Sequence, residues 1–207
     1  MNDLGFQHVF EPGTQTDAPP LLLLHGTGGT EHDLLPLGRA LSPGSTLLSP
    51  LGKVTERGAA RFFARLAEGV FDPAEVARRT HELADFVAAA CARYGLDAAR
   101  LTAVGFSNGA NIAATLLQIR PVVLGQAVLF RPMVVIDQAP APGSLAGKRI
   151  FISSGGDDPL VPPDHPRRLA AHLRAGGAAV DAQVTAGGHG LSRDDIAGAQ
   201  RWFAAAS

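Results

Sequence analysis

Apolar and polar positions along the chain alternate between two kinds of run. Short apolar-leaning segments at 21–24, 46–49, 101–105, 126–130, 149–154 and 179–185 read as strands. The first of them, Leu21–Leu24, holds no polar residue at all and suits a strand buried on both faces. A weakly alternating stretch at 6–10, ended by Glu11-Pro12-Gly13, adds a first strand. Between these runs the spacing turns helical. Segments 34–41, 108–118 and 166–175 are helices, and Val76, Leu83, Phe86, Val87 and Ala90 repeat on one face of a longer one that ends at Gly95. Asp72-Pro73-Ala74-Glu75 starts that helix, with Asp72 as N-cap, Pro73 at the first position and Glu75 closing a capping box. Ser192, with Asp195 three residues on, caps a final helix that runs to 203. Strands alternating with helices predict an α/β fold, a mainly parallel, doubly wound sheet in one domain over 1–207. Residues 131–148 carry Pro132, Pro140, Pro142, Gly143 and Gly147 and read as loop, with no room for an inserted cap domain. Residues 50–71 are less regular, with a turn at Arg57-Gly58. Their Phe62, Phe63, Leu66, Val70 and Phe71 either flank a substrate pocket or fill the core.

At 101–110 a strand passes directly into a helix through Gly105-Phe106-Ser107-Asn108-Gly109. Gly-x-Ser-x-Gly in that setting is a nucleophile elbow: the serine occupies a strained turn, and glycines two residues away on either side admit neighbouring backbone. The N-terminal N–H groups of the helix then point to where negative charge develops.

Composition narrows the picture by exclusion. With 46% hydrophobic and 18% charged residues the chain is neither disordered nor membrane-like, and a net charge of −1 argues against a nucleic-acid surface. Cys91 is the single cysteine, so no internal disulfide forms. The first twenty residues contain no Lys or Arg and no apolar run long enough for a secretory signal or a span, so a cytoplasmic location is expected.

A serine needs a base, and the base needs an acid to fix its tautomer. Three histidines follow Ser107, and of these only His189 lies in a glycine-flanked loop directly after a strand; His165 stands at a helix start and His172 within a helix. Asp157 and Asp158 both follow the strand ending at 154, and spacing does not separate them; the neighbour not facing His189 is expected to brace the loop by an Asx-type turn. Asp137 is an outsider. Upstream, His25-Gly26-Thr27-Gly28-Gly29-Thr30 follows a strand. Dinucleotide-binding spacing would need glycine where Glu31 stands and an acidic residue where Ser49-Pro50-Leu51-Gly52 occurs, so the segment reads instead as an oxyanion loop, with His25 bracing it.

His25-Gly26-Thr27-Gly28-Gly29, Gly105 to Asn111, Phe130-Arg131-Pro132-Met133, Asp158-Pro159-Leu160-Val161-Pro162 and Gly188-His189-Gly190 occur in that order. Together they resemble the small bacterial carboxylesterases of the phospholipase/carboxylesterase group, relatives of the acyl-protein thioesterases in the α/β-hydrolase superfamily. The resemblance implies a cap-less three-layer fold and a triad of Ser107, Asp158 and His189, the aspartate being chosen by the Pro-x-Val-Pro that follows it. It also implies oxyanion donors in the backbone N–H groups of Thr27 and Asn108. His32 departs from the pattern, where an asparagine is expected. The activity implied is hydrolysis of small carboxylic esters without metal or cofactor; apart from the resemblance, the irregular apolar cluster of 50–71 offers Phe62, Phe63 and Leu66 as pocket candidates. The alternatives are a thioesterase and a non-catalytic binding protein of the same fold, which would usually lack a triad member. The expected partner is a small ester, with no nucleic acid or membrane, and homodimer formation stays open.

Overall fold

The computed structural model describes residues 4–205. The elements in order are β1 (His8–Glu11), β2 (Leu21–Leu24), α1 (Leu35–Leu41), β3 (Leu47–Pro50), β4 (Val54–Glu56), β5 (Ala59–Arg61), α2 (Pro73–Tyr94), β6 (Thr102–Phe106), α3 (Asn108–Ile119), β7 (Gln126–Phe130), β8 (Arg149–Gly155), α4 (His165–Ala175), β9 (Ala179–Thr185) and α5 (Arg193–Ala204). Seven strands form one sheet in the order β1-β3-β2-β6-β7-β8-β9. Only β1 runs antiparallel to its neighbour; the other pairings are parallel.

The period-2 alternation of strand side chains divides the core. Leu22, Leu24, Ala103, Leu129 and Ile152 face a layer built from α2, α3 and α4. Leu21, Leu23, Val104, Val128 and Phe151 face α1 and α5, where Trp202 packs. This is the expected three-layer arrangement, and the four leucines of β2 are fully buried in its middle. No helix among the described residues is long and apolar enough to cross a membrane. Residues 131–148 contribute no helix or strand and no cap.

Three local departures have plain causes. The first strand begins two residues later than its alternation suggests, because Phe6 leaves the strand to pack on Phe86, ring centroids 4.9 Å apart. Residues 50–71 contain a hairpin, β4 paired with β5, turning at Arg57 (φ 52°) and Gly58 (φ 86°); two positive φ angles give a turn whose twist matches paired strands. At the start of α2 the Asp72 carboxylate accepts the Ala74 N–H at 2.9 Å, but Glu75 turns to Arg78 and Arg79 instead of completing a capping box. The capping box at the start of α5 is complete.

Candidate active site

The residues proposed from the sequence for the triad and the oxyanion donors lie just past the carboxyl ends of the strands, in loops or at the first position of α3. Ser107 joins β6 to α3 with φ 52° and ψ −115°, a conformation costly for a side-chain-bearing residue and one that lifts its hydroxyl clear of the sheet. The surrounding glycines are sterically required. A Cβ on Gly105 would lie 2.5 Å from the Gly109 carbonyl oxygen, and one on Gly109 would lie 1.9 Å from the carbonyl oxygen of Leu24. The elbow is therefore pressed against the end of β2, and the Ser107 N–H donates to Phe130 O of β7 at 2.9 Å.

His189 stands in the loop after β9, its Nε2 2.8 Å from Ser107 Oγ and its Nδ1 2.8 Å from Asp158 Oδ2. Of the two neighbouring aspartates only Asp158 faces the histidine; Asp157 is exposed. The expectation that the second aspartate braces the loop is corrected here. Asp158 does that as well, because its Oδ1 accepts the N–H groups of Leu160 at 2.8 Å and Val161 at 3.3 Å. One oxygen fixes the turn and leaves the other aimed at His189. The remaining histidines and Asp137 are engaged elsewhere. His165 Nδ1 accepts the Val134 N–H, and Asp137 pairs with Arg168 and lies near His172.

The loop after β2 supplies the opposite wall. His25 is buried, donates from Nδ1 to Gly26 O at 2.7 Å and accepts the Gly52 N–H at Nε2 at 2.9 Å, so it braces the loop as a neutral ring. Burial lowers its pKa, in agreement with that state. Thr27 and Asn108 both border the cleft that holds Ser107 and His189, and neither backbone N–H has an acceptor among the described residues. Exposed His32 lies 3.6 Å from Glu31, so the departure from the pattern leaves the triad untouched.

The cleft has a volume of about 280 Å³. Its apolar walls are Phe71, Phe106, Met133 and Leu160. The pocket candidates are corrected accordingly. Phe62 and Phe63 belong to the core, and Leu66 is 73% exposed and turned outward. Phe62 contributes through its backbone, whose N–H holds the Asn108 side-chain oxygen at 2.7 Å. Tandem phenylalanines after a strand carry no mark that separates core from pocket, whereas the structure packs Phe62 against His25 and Phe63 against Phe71 within the core.

Two arginines escaped the functional reading of the sequence. Arg61, the last residue of β5, borders the cleft and donates from Nη1 to Thr27 Oγ1 at 2.5 Å. Arg131 follows β7 with φ 55° and is fully buried. It donates to the carbonyls of Gly188 and Gly190, which flank His189, both at 3.0 Å, and to both carboxylate oxygens of Asp195 at 2.8 Å. Burial by itself would raise the Asp195 carboxyl, but hydrogen bonds from Arg131, Ser153 and Ser192 outweigh it and hold its pKa well below the usual carboxylate range. The only sequence signals were the Phe130-Arg131-Pro132-Met133 run and the capping position of Asp195.

Searches against family models return no match. A Bacillus subtilis (strain 168) protein named "Putative hydrolase MhqD" is 44% identical over 197 residues, covering 95% of this chain and 97% of its own. The Bacillus cereus carboxylesterase structure is 41% identical with a TM-score of 0.94, over 98% of this chain and 95% of that one. A carboxylesterase structure from Mesorhizobium loti is 33% identical with a TM-score of 0.91, over 99% and 97%. An α/β-hydrolase sheet carrying a serine elbow defines the class. Within it, the chain belongs to the family of these bacterial carboxylesterases.

Proposed function

We propose that this protein hydrolyses small carboxylic esters through an acyl-enzyme formed on Ser107. The observation that carries the reading is the continuous relay from Asp158 to His189 to Ser107, with both links at 2.8 Å. Asp158 holds Nδ1–H of His189, which leaves Nε2 free to take the Ser107 proton as the serine oxygen attacks the ester carbonyl. The carbonyl oxygen becomes an oxyanion and accepts from the N–H groups of Thr27 and Asn108, at the N-terminus of α3; one such donor contributes roughly 10²–10³-fold in rate. Collapse expels the alcohol, to which His189 returns the proton. Water, deprotonated by His189, then attacks the acyl-serine, and a second collapse releases the acid. The open cleft favours short esters over long lipids.

The test is labelling by a fluorophosphonate, together with turnover of p-nitrophenyl acetate. Wild-type protein is expected to take the label on Ser107 and to turn over the ester. Ser107→Ala is expected to fold normally, take no label and lose roughly 10³-fold or more in kcat. Near-wild-type turnover by that variant would falsify the assignment.

A further inference from the structure

Arg61 is buried beside the reacting groups without being fully used by the protein. Its side chain is 4% exposed. Nε donates to Phe63 O at 3.1 Å and Nη1 to Thr27 Oγ1 at 2.5 Å, while Nη2 has no acceptor among the described residues. The nearest carboxylate oxygen, Glu56 Oε2, lies 3.5 Å from Nε and makes no hydrogen bond itself. The other oxygen of Glu56 is held at 2.8 Å by Arg65, which also pairs with Glu68. Glu56 is thus shared, and its hydrogen bonding goes to Arg65. The unpartnered Nη2 is not sealed from solvent, so a ligand reaching it has only water to displace, while burial of the rest of the guanidinium lowers the Arg61 pKa. The open groups belong to a residue that borders the same cleft as Ser107, His189 and the oxyanion donors.

We infer that Arg61 is a substrate-recognition residue, and that the cleft accepts esters carrying a second carboxylate, which Arg61 binds through its unpartnered Nη2 edge. The planar fork of arginine matches a carboxylate through parallel hydrogen bonds, which a lysine ammonium does not reproduce. The link to Thr27 puts this fork next to an oxyanion donor, within reach of groups attached close to the scissile carbonyl. An anion bound there completes the hydrogen bonding of Arg61 without displacing either protein partner.

The inference rests on the esterase reading, so its test measures binding apart from turnover. Isothermal titration uses Ser107→Ala protein, which keeps the cleft without cleaving the ligand. Monomethyl glutarate is compared with methyl hexanoate to place the carboxylate in the acyl half; 4-acetoxybutanoate is compared with pentyl acetate to place it in the alcohol half. The charged member of at least one pair is expected to bind roughly 10-fold tighter or more, the scale of a hydrogen bond to a charged group. Adding Arg61→Met is expected to abolish the preference, and Arg61→Lys to weaken it. The lysine variant keeps the comparison available if the methionine variant does not fold. Working with the ratio within each pair removes any general loss caused by loosening Thr27. Equal affinities in both pairs, or a preference unchanged by both substitutions, overturn the inference. Fluorophosphonate labelling of wild-type protein separates the two readings. Label without selectivity sinks the role of Arg61 alone; selectivity without label sinks the serine-hydrolase reading alone.

Discussion

Arg131 and Arg61 are both withdrawn from solvent beside the active site, yet the protein treats their nitrogens differently. All three nitrogens of Arg131 have acceptors, drawn from the loop around His189, from Thr185 of β9 and from Asp195 of α5. Arg61 leaves Nη2 open and keeps its carboxylate neighbour at arm's length. The first arginine fixes the half of the site that carries the base. The second borders the cleft with one nitrogen unpartnered. Hydrogen-bond saturation, and not burial, separates a scaffold arginine from one kept for a ligand.

The largest effect expected lies in the fixed half. Asp158→Asn removes the acceptor that sets the His189 tautomer and is expected to lower kcat by roughly 10³–10⁴-fold. Asp157→Asn, on an exposed side chain, is expected to cost about tenfold at most. Steady-state turnover of p-nitrophenyl acetate by both variants checks this, and comparable losses would mean that the orientation of Asp158 is not what matters.

A stability measurement addresses the arginines directly. Arg131→Met leaves Asp195 buried and unpaired and is expected to destabilise by about 3–5 kcal/mol, the scale of breaking a buried ion pair from one side. Arg61→Met gives up only two neutral acceptors and a loosely held Glu56, so about 1–2 kcal/mol is expected. Urea denaturation of both variants ranks them. Equal losses would erase the distinction between the two halves.

Acid sharpens the same contrast. The folded-state pKa of Asp195 is depressed, so its contribution is present above the ordinary carboxyl value of 3.8 and is lost as pH falls below it toward the folded value. Stability is expected to fall below that point with a slope of up to about 1.4 kcal/mol per pH unit from this one group. Asp195→Asn is expected to start less stable and to show a shallower acid slope in denaturation curves taken between about pH 5 and 2. An unchanged slope would place the acid sensitivity elsewhere.

What the sequence made legible follows from how local each feature is. β2, the elbow and the capping of α5 are written in consecutive residues whose sterics or burial admit few alternatives, and His189 stood out through its glycines. Asp158 was separable from Asp157 only through the resemblance, because spacing says nothing about which of two adjacent carboxylates faces across a cleft. Arg131 and Arg61 lay further from view. The side-chain partners of Arg131 are 54 to 64 residues away, and Arg61 reaches Thr27 34 residues away besides the neighbouring carbonyl of Phe63, so the sequence near either arginine does not announce its role. Phe62, Phe63 and Leu66 failed as pocket residues because an irregular apolar segment does not say which of its side chains turn into the core and which to solvent.

The smallest effect expected concerns chain length, and it belongs to the open half. A buried methylene contributes about 0.8 kcal/mol, roughly fourfold in affinity, only while there is wall to bury it against. The apolar wall here is Phe71, Phe106, Met133 and Leu160, and Leu160 is itself 42% exposed. Leu66 is exposed, and residues 131–148 hold no helix or strand that could form a cap. Beyond the first few carbons an acyl chain would therefore leave the apolar wall and return to water. On p-nitrophenyl esters from acetate to palmitate, kcat/KM is expected to peak at about C2 to C6, rising by less than the full methylene increment per carbon and then levelling or falling. A maximum at C10 or beyond would require a covered channel, for which the segment from 62 to 71 would have to fold over the site. The comparison would then invert, with the half described as open being the one that closes on its substrate.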